Sequence, residues 1–437
     1  MNADKRRLTT KRCSDICVHL RSSAVAFVLL FVLAAPLFCQ QREYKLNPQD
    51  RERAIKFSRI KYTMHFVDEI WGLAILLGVL GFGLSARTRS LAESATQRWW
   101  VQGLIFAPLL TLLTDLPTLP NEVYLQHLER VYGQSVQGWG AWSWDQAKGE
   151  FLSILFGTVF ALILFGLIRW SPRRWWIWCW LASLPLIAFL VFITPVVIDP
   201  MFHKFTPLNV KHPEVVAAVQ KVTRRGGLDI PVDRMFEMDA SEDVTSLNAY
   251  VTGFGATKRV VVWDTTIARC TLPDLMFTFG HEQGHYVLHH IPKTMAFLAV
   301  LLFVALYVGF RGMAWLIEDY GGRWGVRGQS DWAALPVLLL LMSAFGFIGE
   351  PVTSAWSRHQ EHEADIYGLE VIHGLVPNSQ TVAADSFQLL GEVALADPDP
   401  PPFIEFWLYD HPSIGERVRF AQSYHPWDEG KSPEFVK

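Results

Sequence analysis

His281-Glu282-Gln283-Gly284-His285, followed about eighty residues later by Glu361-His362-Glu363-Ala364-Asp365, is the stretch from which the rest of the chain can be read. On a helix, side chains four residues apart share a face, so His281 and His285 can aim two imidazoles at one point. Glu282 sits one position round, within reach of a water activated at that point but outside the ligand set. Two neutral nitrogen ligands and a carboxylate base are the division of labour that zinc-assisted peptide hydrolysis needs. The third ligand has to come from elsewhere in the fold, and Glu361 is the candidate, giving one Zn2+ per chain. Asp365 lies one turn further on, placed to accept a hydrogen bond from a ligating imidazole and fix its tautomer.

The flanking residues predict a helix over 271–291. Thr271 or Pro273-Asp274 can start it, Pro292 can stop it, and Leu275, Met276, Phe279, Val287 and Leu288 give it a face to bury. It carries too many polar residues to span a bilayer, which separates this pattern from zinc proteolysis inside a membrane helix. The competing reading is a buried helix whose histidines are simply hydrogen-bonded. His289, His290, His359 and His362 crowd the motifs without fitting them. His289 shares the face of His285, but a helical pitch of about 5.4 Å takes it out of reach of the same ion. His362 and Glu363 point away from the face of Glu361.

Composition says where this chemistry happens. The 437 residues are 51% hydrophobic, with 18 Trp and 29 Phe, which fits a membrane half joined to a water-facing half. A net charge of −3 argues against nucleic acid as a partner. Apolar runs at 70–86, 151–168, 175–198 and 295–317 are long enough for a bilayer. Shorter runs at 101–113 and 334–348 leave re-entrant or packed helices as alternatives. Trp99-Trp100 and the cluster Trp170, Trp175, Trp176, Trp178 and Trp180 read either as interfacial belts or as ordinary packing.

The run at 24–38 follows six Lys/Arg and reads as a signal peptide or an uncleaved first transmembrane helix. The stretch after it carries seven Lys/Arg, so positive-inside counting leaves the orientation open. A basic N-terminus before a signal-like helix points to a bacterial protein, and hence to the inner (cytoplasmic) membrane. Five scattered cysteines form neither a metal cluster nor a disulfide framework. The oligomeric state has no signal.

Between Ile198 and Met295 the character is that of a soluble domain. Pro213–Arg225 reads as an amphipathic helix closed by Gly226-Gly227, and residues 233–238, 246–252 and 259–263 read as strands. Gly253-Phe254-Gly255 makes the last two a hairpin. A peptide substrate can add to such a sheet as an extra strand and present its scissile carbonyl to the metal. The expected organisation is a basic N-terminus with its helix (1–39), a membrane domain (40–198), and a zinc metallopeptidase domain (199–437) interrupted by a transmembrane hairpin at about 295–350. A Pro-rich loop near 397–402 precedes an aromatic run and His411-Pro412-Ser413-Ile414-Gly415-Glu416-Arg417.

These dispersed elements, taken in order, resemble the type I CAAX prenyl protease family of integral-membrane zinc metalloendopeptidases of gluzincin type. The resembling stretches are Tyr44-Lys45-Leu46 through Lys61-Tyr62, Asp199-Pro200-Met201-Phe202 with Phe205-Thr206-Pro207-Leu208, and Asn248-Ala249-Tyr250-Val251-Thr252-Gly253. His281–His285, Ser357-Arg358 with Glu361-x-x-Ala364-Asp365, and His411-Pro412 to Arg417 complete the set. One departure is His359-Gln360, where a more basic or aromatic pair is expected.

The resemblance implies a mainly α protein, with about seven transmembrane helices forming a chamber and a small α+β zincin-type domain capping it. It implies Zn2+ on His281, His285 and Glu361, with Glu282 as general base. It further implies substrate backbone held at Asn248 and along the strand of Tyr250, the oxyanion stabilised by His411, and Arg417 supporting that corner. The substrate is a peptide or protein that the family name does not specify, since bacteria make no prenylated CAAX proteins of their own. The rival functional reading is a catalytically silent membrane protein whose zinc domain serves as a binding or chaperone module. A transporter is the other, for which the apolar helices are the sole argument.

Overall fold

The computed structural model describes residues 44–253 and 258–436. Among them, six helices are long and apolar enough to cross a membrane. The expected span at 24–38, and the turn residues Phe254 and Gly255 of the hairpin, lie outside the described residues.

The first six labelled helices form the N-terminal membrane part. They are α1 (Pro48–Gly81), α2 (Leu84–Ala95), α3 (Trp99–Asp115), α4 (Leu119–Tyr132), α5 (Trp139–Trp170) and α6 (Trp175–Ile193). Helix α1 starts where Asn47 accepts a hydrogen bond from the Asp50 amide and Pro48 presets the first turn. It ends at Gly81, because Gly83 takes a left-handed conformation (φ 64°) and turns the chain. The predicted run at 70–86 is therefore two helices, and the first spans from further upstream, through a segment whose charges hid it. The short run at 101–113 lies in α3, which continues through a 3-10 turn into α4 as a candidate span over Trp99–Tyr132.

Trp332, 1% exposed, anchors the packing of these helices, with its ring 4.4 Å from Phe165 and 6.0 Å from Phe106. Gly103 leaves the necessary room, since a Cβ there would stand 2.6 Å from the Trp332 ring.

The second half of the chain begins with a four-stranded sheet in the order β1-β2-β4-β3. Its strands are β1 (Phe205–Pro207), β2 (Met235–Met238), β3 (Ala249–Thr252) and β4 (Arg259–Trp263). β3 pairs antiparallel to β4, as a hairpin requires, and forms one edge; β2 and β4 are parallel. Helix α7 (Pro213–Arg225) has the predicted bounds. Its Val215, Val216 and Val219 pack with Val260 and Val262 of β4, and with Leu275 and Phe279 of the motif helix. β1 escaped the sequence reading because three residues carry no alternation.

Four helices position the site: the short α8 (Asp264–Arg269), then α9 (Leu272–Val287), α10 (His290–Trp324) and α11 (Leu335–Ile372). Three more follow: α12 (Ser379–Ala394), α13 (Pro402–Leu408) and α14 (Ile414–Ser423). Pro292 does not stop the motif helix. That helix closes at Val287, His289 turns left-handed (φ 60°), and Pro292 sits in the first turn of α10, where its missing N–H costs nothing. A break near Trp356 is also absent. The apolar run at 334–348 and the Glu361 motif belong to one continuous helix of 38 residues.

Candidate active site

Helix α9 begins with a reciprocal cap. Thr271 accepts from the Asp274 amide, and Asp274 accepts from the Thr271 amide at 2.9 Å. Its buried face then carries Leu275, Phe279, His281 and Gln283 inward. Helix α11 crosses it so closely that glycine is needed on both sides. A Cβ on Gly280 would stand 2.5 Å from Val371 Cγ1 and 3.2 Å from the Gly368 backbone. A Cβ on Gly284 would lie 3.0 Å from Tyr367 Cβ and 3.2 Å from Ala364 Cα. This close crossing brings Glu361 to the histidines. The spacing Gly280-x-x-x-Gly284 is the sequence signal that would have revealed it.

Donor atoms of His281, His285 and Glu361 all lie within 4.8 Å of one another. His281 Nε2 is 3.1 Å from His285 Nε2 and 3.2 Å from Glu361 Oε2, while His285 Nε2 is 3.4 Å from Glu361 Oε1. Behind them, His281 Nδ1 lies 2.8 Å from Asp365 Oδ1, and Asp365 is 1% exposed. Arg417 grips the same carboxylate with two donors, Nε at 2.9 Å and a terminal nitrogen at 2.6 Å. Its guanidinium also lies over the Phe387 ring at 4.3 Å and 3.9 Å from Glu361 Oε2. The capping pair Ser413 and Glu416 starts α14 and sets Arg417 in that direction.

The group opens onto a cavity of about 650 Å³, lined by Asn248, Glu282, His411 and Arg417 among polar residues, and by Phe277, Phe387, Leu390, Leu408 and Ile414 among apolar ones. Burial pushes the Glu282 carboxyl up to about 7, with Glu361's negative charge adding to it against the pull of His281, His411 and Arg417. His411 presents Nε2 at 3.2 Å from Glu361 Oε2 and Nδ1 at 2.8 Å from Asp410 Oδ1. Arg358 of α11 holds the segment leading to His411, donating to the carbonyls of Glu405 (2.9 Å) and Tyr409.

Asn248 lies on the cavity wall immediately before edge strand β3. Thr266 of α8, which sequence reasoning missed, clamps it from both sides: its hydroxyl accepts from the Asn248 amide and donates to the Asn248 carbonyl, each at 2.8 Å. Tyr250 is not brought to the cavity. Its ring packs with Phe205, Phe236, Val244 and Trp263 around Val261, on the sheet face opposite to α9, because strand residues alternate between faces.

Among the histidines set aside from sequence, His359 is exposed and the His362 ring packs on Phe420 at 4.5 Å. His289 falls beyond the end of α9, so the assumption that it continues the His285 face fails. His290 does touch the site, through His285, with Nδ1 atoms 2.9 Å apart.

Comparison with known proteins divides the chain in two. The family described as CAAX prenyl protease N-terminal, five membrane helices, matches residues 39–204, and peptidase family M48 matches residues 209–425. The chain is 32% identical to the uncharacterized metalloprotease YhfN of Bacillus subtilis, over 86% of each chain. It is 27% identical to CAAX prenyl protease 1 of Saccharomyces cerevisiae, over 84% of this chain and 80% of the yeast protein. The crystal structure of S. mikatae Ste24p superposes with a TM-score of 0.75 at 21% identity, covering 89% of this chain and 91% of that one. Fold and matches together define a multi-pass membrane metalloprotease. The chain belongs to the M48 peptidases, the family of the CAAX prenyl proteases.

Proposed function

We propose that this protein is a zinc-dependent metalloendopeptidase of the bacterial inner membrane, with Zn2+ held by His281, His285 and Glu361 and with Glu282 as general base. The observation that carries the reading is the convergence of three donors from two helices on one point of a cavity that also holds Glu282, Asn248 and His411. The donor set fits the ion. Two imidazole nitrogens and a carboxylate oxygen are a catalytic zinc set, and zinc bonds of roughly 2.0–2.2 Å require ligand atoms a little over 3 Å apart. Glu361 Oε2 lies 3.2 Å from His281 Nε2 and 3.2 Å from His411 Nε2, so this buried carboxylate oxygen faces the point on which the imidazoles converge, as a ligand to a cation would.

Bound there, zinc supplies Lewis acidity, polarising the scissile carbonyl and acidifying water. The chain's own residues do the rest. Glu282 takes the proton from the attacking water and returns it to the leaving amine; a carboxyl raised towards neutrality suits both transfers. His411 Nε2 donates to the oxygen that becomes negative, a contribution of roughly 3 kcal/mol for one well-placed donor. Asp365 keeps the His281 proton on Nδ1, leaving Nε2 free to ligate, and Arg417 holds Asp365 in place. The substrate lies antiparallel along β3, its backbone held at Asn248, with Tyr250 contributing through the strand backbone.

In this reading residues 1–39 carry the leading helix, 40–198 form the membrane domain, and 199–437 form the peptidase domain around a transmembrane hairpin at about 295–350. The substrate is a polypeptide that reaches a membrane-embedded site, such as an unfolded or stalled membrane protein.

The test compares detergent-purified wild type with Glu282→Gln for zinc content and cleavage of an unfolded reporter. Stoichiometric zinc in both with cleavage by wild type alone is expected. Zinc in both with cleavage by neither points instead to a silent binding module, and a wild type without zinc sinks the reading.

A further inference from the structure

The turn between α9 and α10 is built around an unusual conformation. His289 is left-handed (φ 60°), uncommon for a residue other than glycine, and the chain leaves the helical path there, so that α10 starts at His290, whose ring meets that of His285 near the end of α9. His290 is 2% exposed. Its Nδ1 lies 2.9 Å from His285 Nδ1, and its Nε2 lies 3.1 Å from Glu363 Oε2. Its carbonyl accepts from the Gln360 amide at 3.5 Å, and Gln360 accepts from the Thr294 hydroxyl at 2.8 Å. Apart from His285, none of these groups has a part in the mechanism above.

We propose that His290 and Glu363 form a second orienting arm, which positions His285 as Asp365 and Arg417 position His281. The inference rests on the zinc reading and deepens it. His285 turns Nε2 towards His281 and Glu361, so as a ligand its ring proton sits on Nδ1 and must be donated. His290 Nδ1 is the acceptor, which makes that nitrogen unprotonated and puts the His290 proton on Nε2. That N–H donates in turn to Glu363. Every proton in the chain is thereby assigned, and the carboxylate at its far end strengthens both hydrogen bonds. The arrangement also gives the left-handed His289 a purpose: a helix continuing past Val287 would carry residue 290 away from the His285 ring.

The experiment measures zinc affinity of the full-length, detergent-purified protein by chelator competition, with the visible absorption of its cobalt-substituted form as a second readout. The melting temperature of the metal-free protein controls for folding. His290→Leu is expected to weaken zinc binding about 10–100-fold, with Glu363→Leu moving it the same way. His290→Asp places an acceptor oxygen where Nδ1 stood and is expected to recover affinity to within about threefold of wild type, with the cobalt spectrum restored. Unchanged affinity in a folded His290→Leu protein overturns the proposal. Equal loss in the Leu and Asp variants overturns it too, because the acceptor would then be irrelevant. A wild type that takes up no zinc overturns the metal reading itself, and this proposal with it.

Discussion

Arg417 is a buried cation on which the acidic corner of the site depends. It satisfies both oxygens of Asp365, a carboxylate with almost no access to water. Arg417→Met would leave that charge half-compensated, and removing one partner of a buried pair costs about 3–5 kcal/mol. Thermal unfolding in detergent should show the loss, and adding Asp365→Asn should recover part of it. His411 makes a different demand. His411→Ala should lower kcat by roughly 10²–10³ while leaving KM near its starting value, because in the proposed mechanism its donor acts in the transition state. At this scale the central residues were legible from periodicity alone, since four-residue spacing on a helix dictates that His281 and His285 converge. Thr266 and His290 were not. Thr266 acts through its hydroxyl on another segment's backbone, which leaves no trace in spacing. His290 was set aside as one of several histidines crowding the motif, and the left-handed turn at His289 that carries it to His285 leaves no trace in spacing.

The crossing of α9 and α11 sets the ligand geometry, and glycine sets the crossing. Gly280→Val would push branched carbon into Val371 and the Gly368 backbone, separating the helices that carry His281 and Glu361. The expected result is fewer zinc ions retained per chain and a destabilisation of about 1–3 kcal/mol, read by metal analysis and unfolding. Gly322→Ala is the control. It lies in α10 with nothing within 4 Å of the added carbon, so it should be neutral or slightly stabilising. Elements with clear chemical punctuation were legible, as α7 between Pro213 and Gly226 and strand β4 show. Membrane helix bounds were not, because hydropathy marks the apolar part of a helix and is blind to its polar continuation.

Composition pointed to a membrane half and a water-facing half, and six of the described helices are long and apolar enough to cross a membrane. Its C-terminal end is held by one buried side chain. Glu370, 2% exposed, accepts from the amides of Glu434 (2.5 Å), Phe435 (2.8 Å) and Val436 (2.8 Å), and from the Tyr424 hydroxyl (2.6 Å). Truncation after Pro433 would remove three of those donors and leave a buried charge short of partners. A loss of about 3 kcal/mol is expected in thermal unfolding, largely relieved by adding Glu370→Gln. No local pattern in the sequence announces this clasp, because Glu370 stands 54 to 66 residues from its partners.

Helix α11 carries the apolar run at 334–348 and Glu361 on one rod, about 57 Å for its 38 residues against a hydrocarbon core of roughly 30 Å. A rod of that length is a lever: a tilt of about 3° displaces one end by ~3 Å, several times the ~0.5 Å tolerance of a preorganised site. The glycine crossing clamps its upper part to α9, so strain arriving from the bilayer must be taken up below the clamp. Pro351 lies there, inside the helix and ten residues before Glu361, where the ladder lacks one hydrogen bond. Such a joint is expected to take up strain from the bilayer before it reaches the site, so stiffening it with Pro351→Ala should make turnover depend on lipid chain length in nanodiscs where the wild type does not.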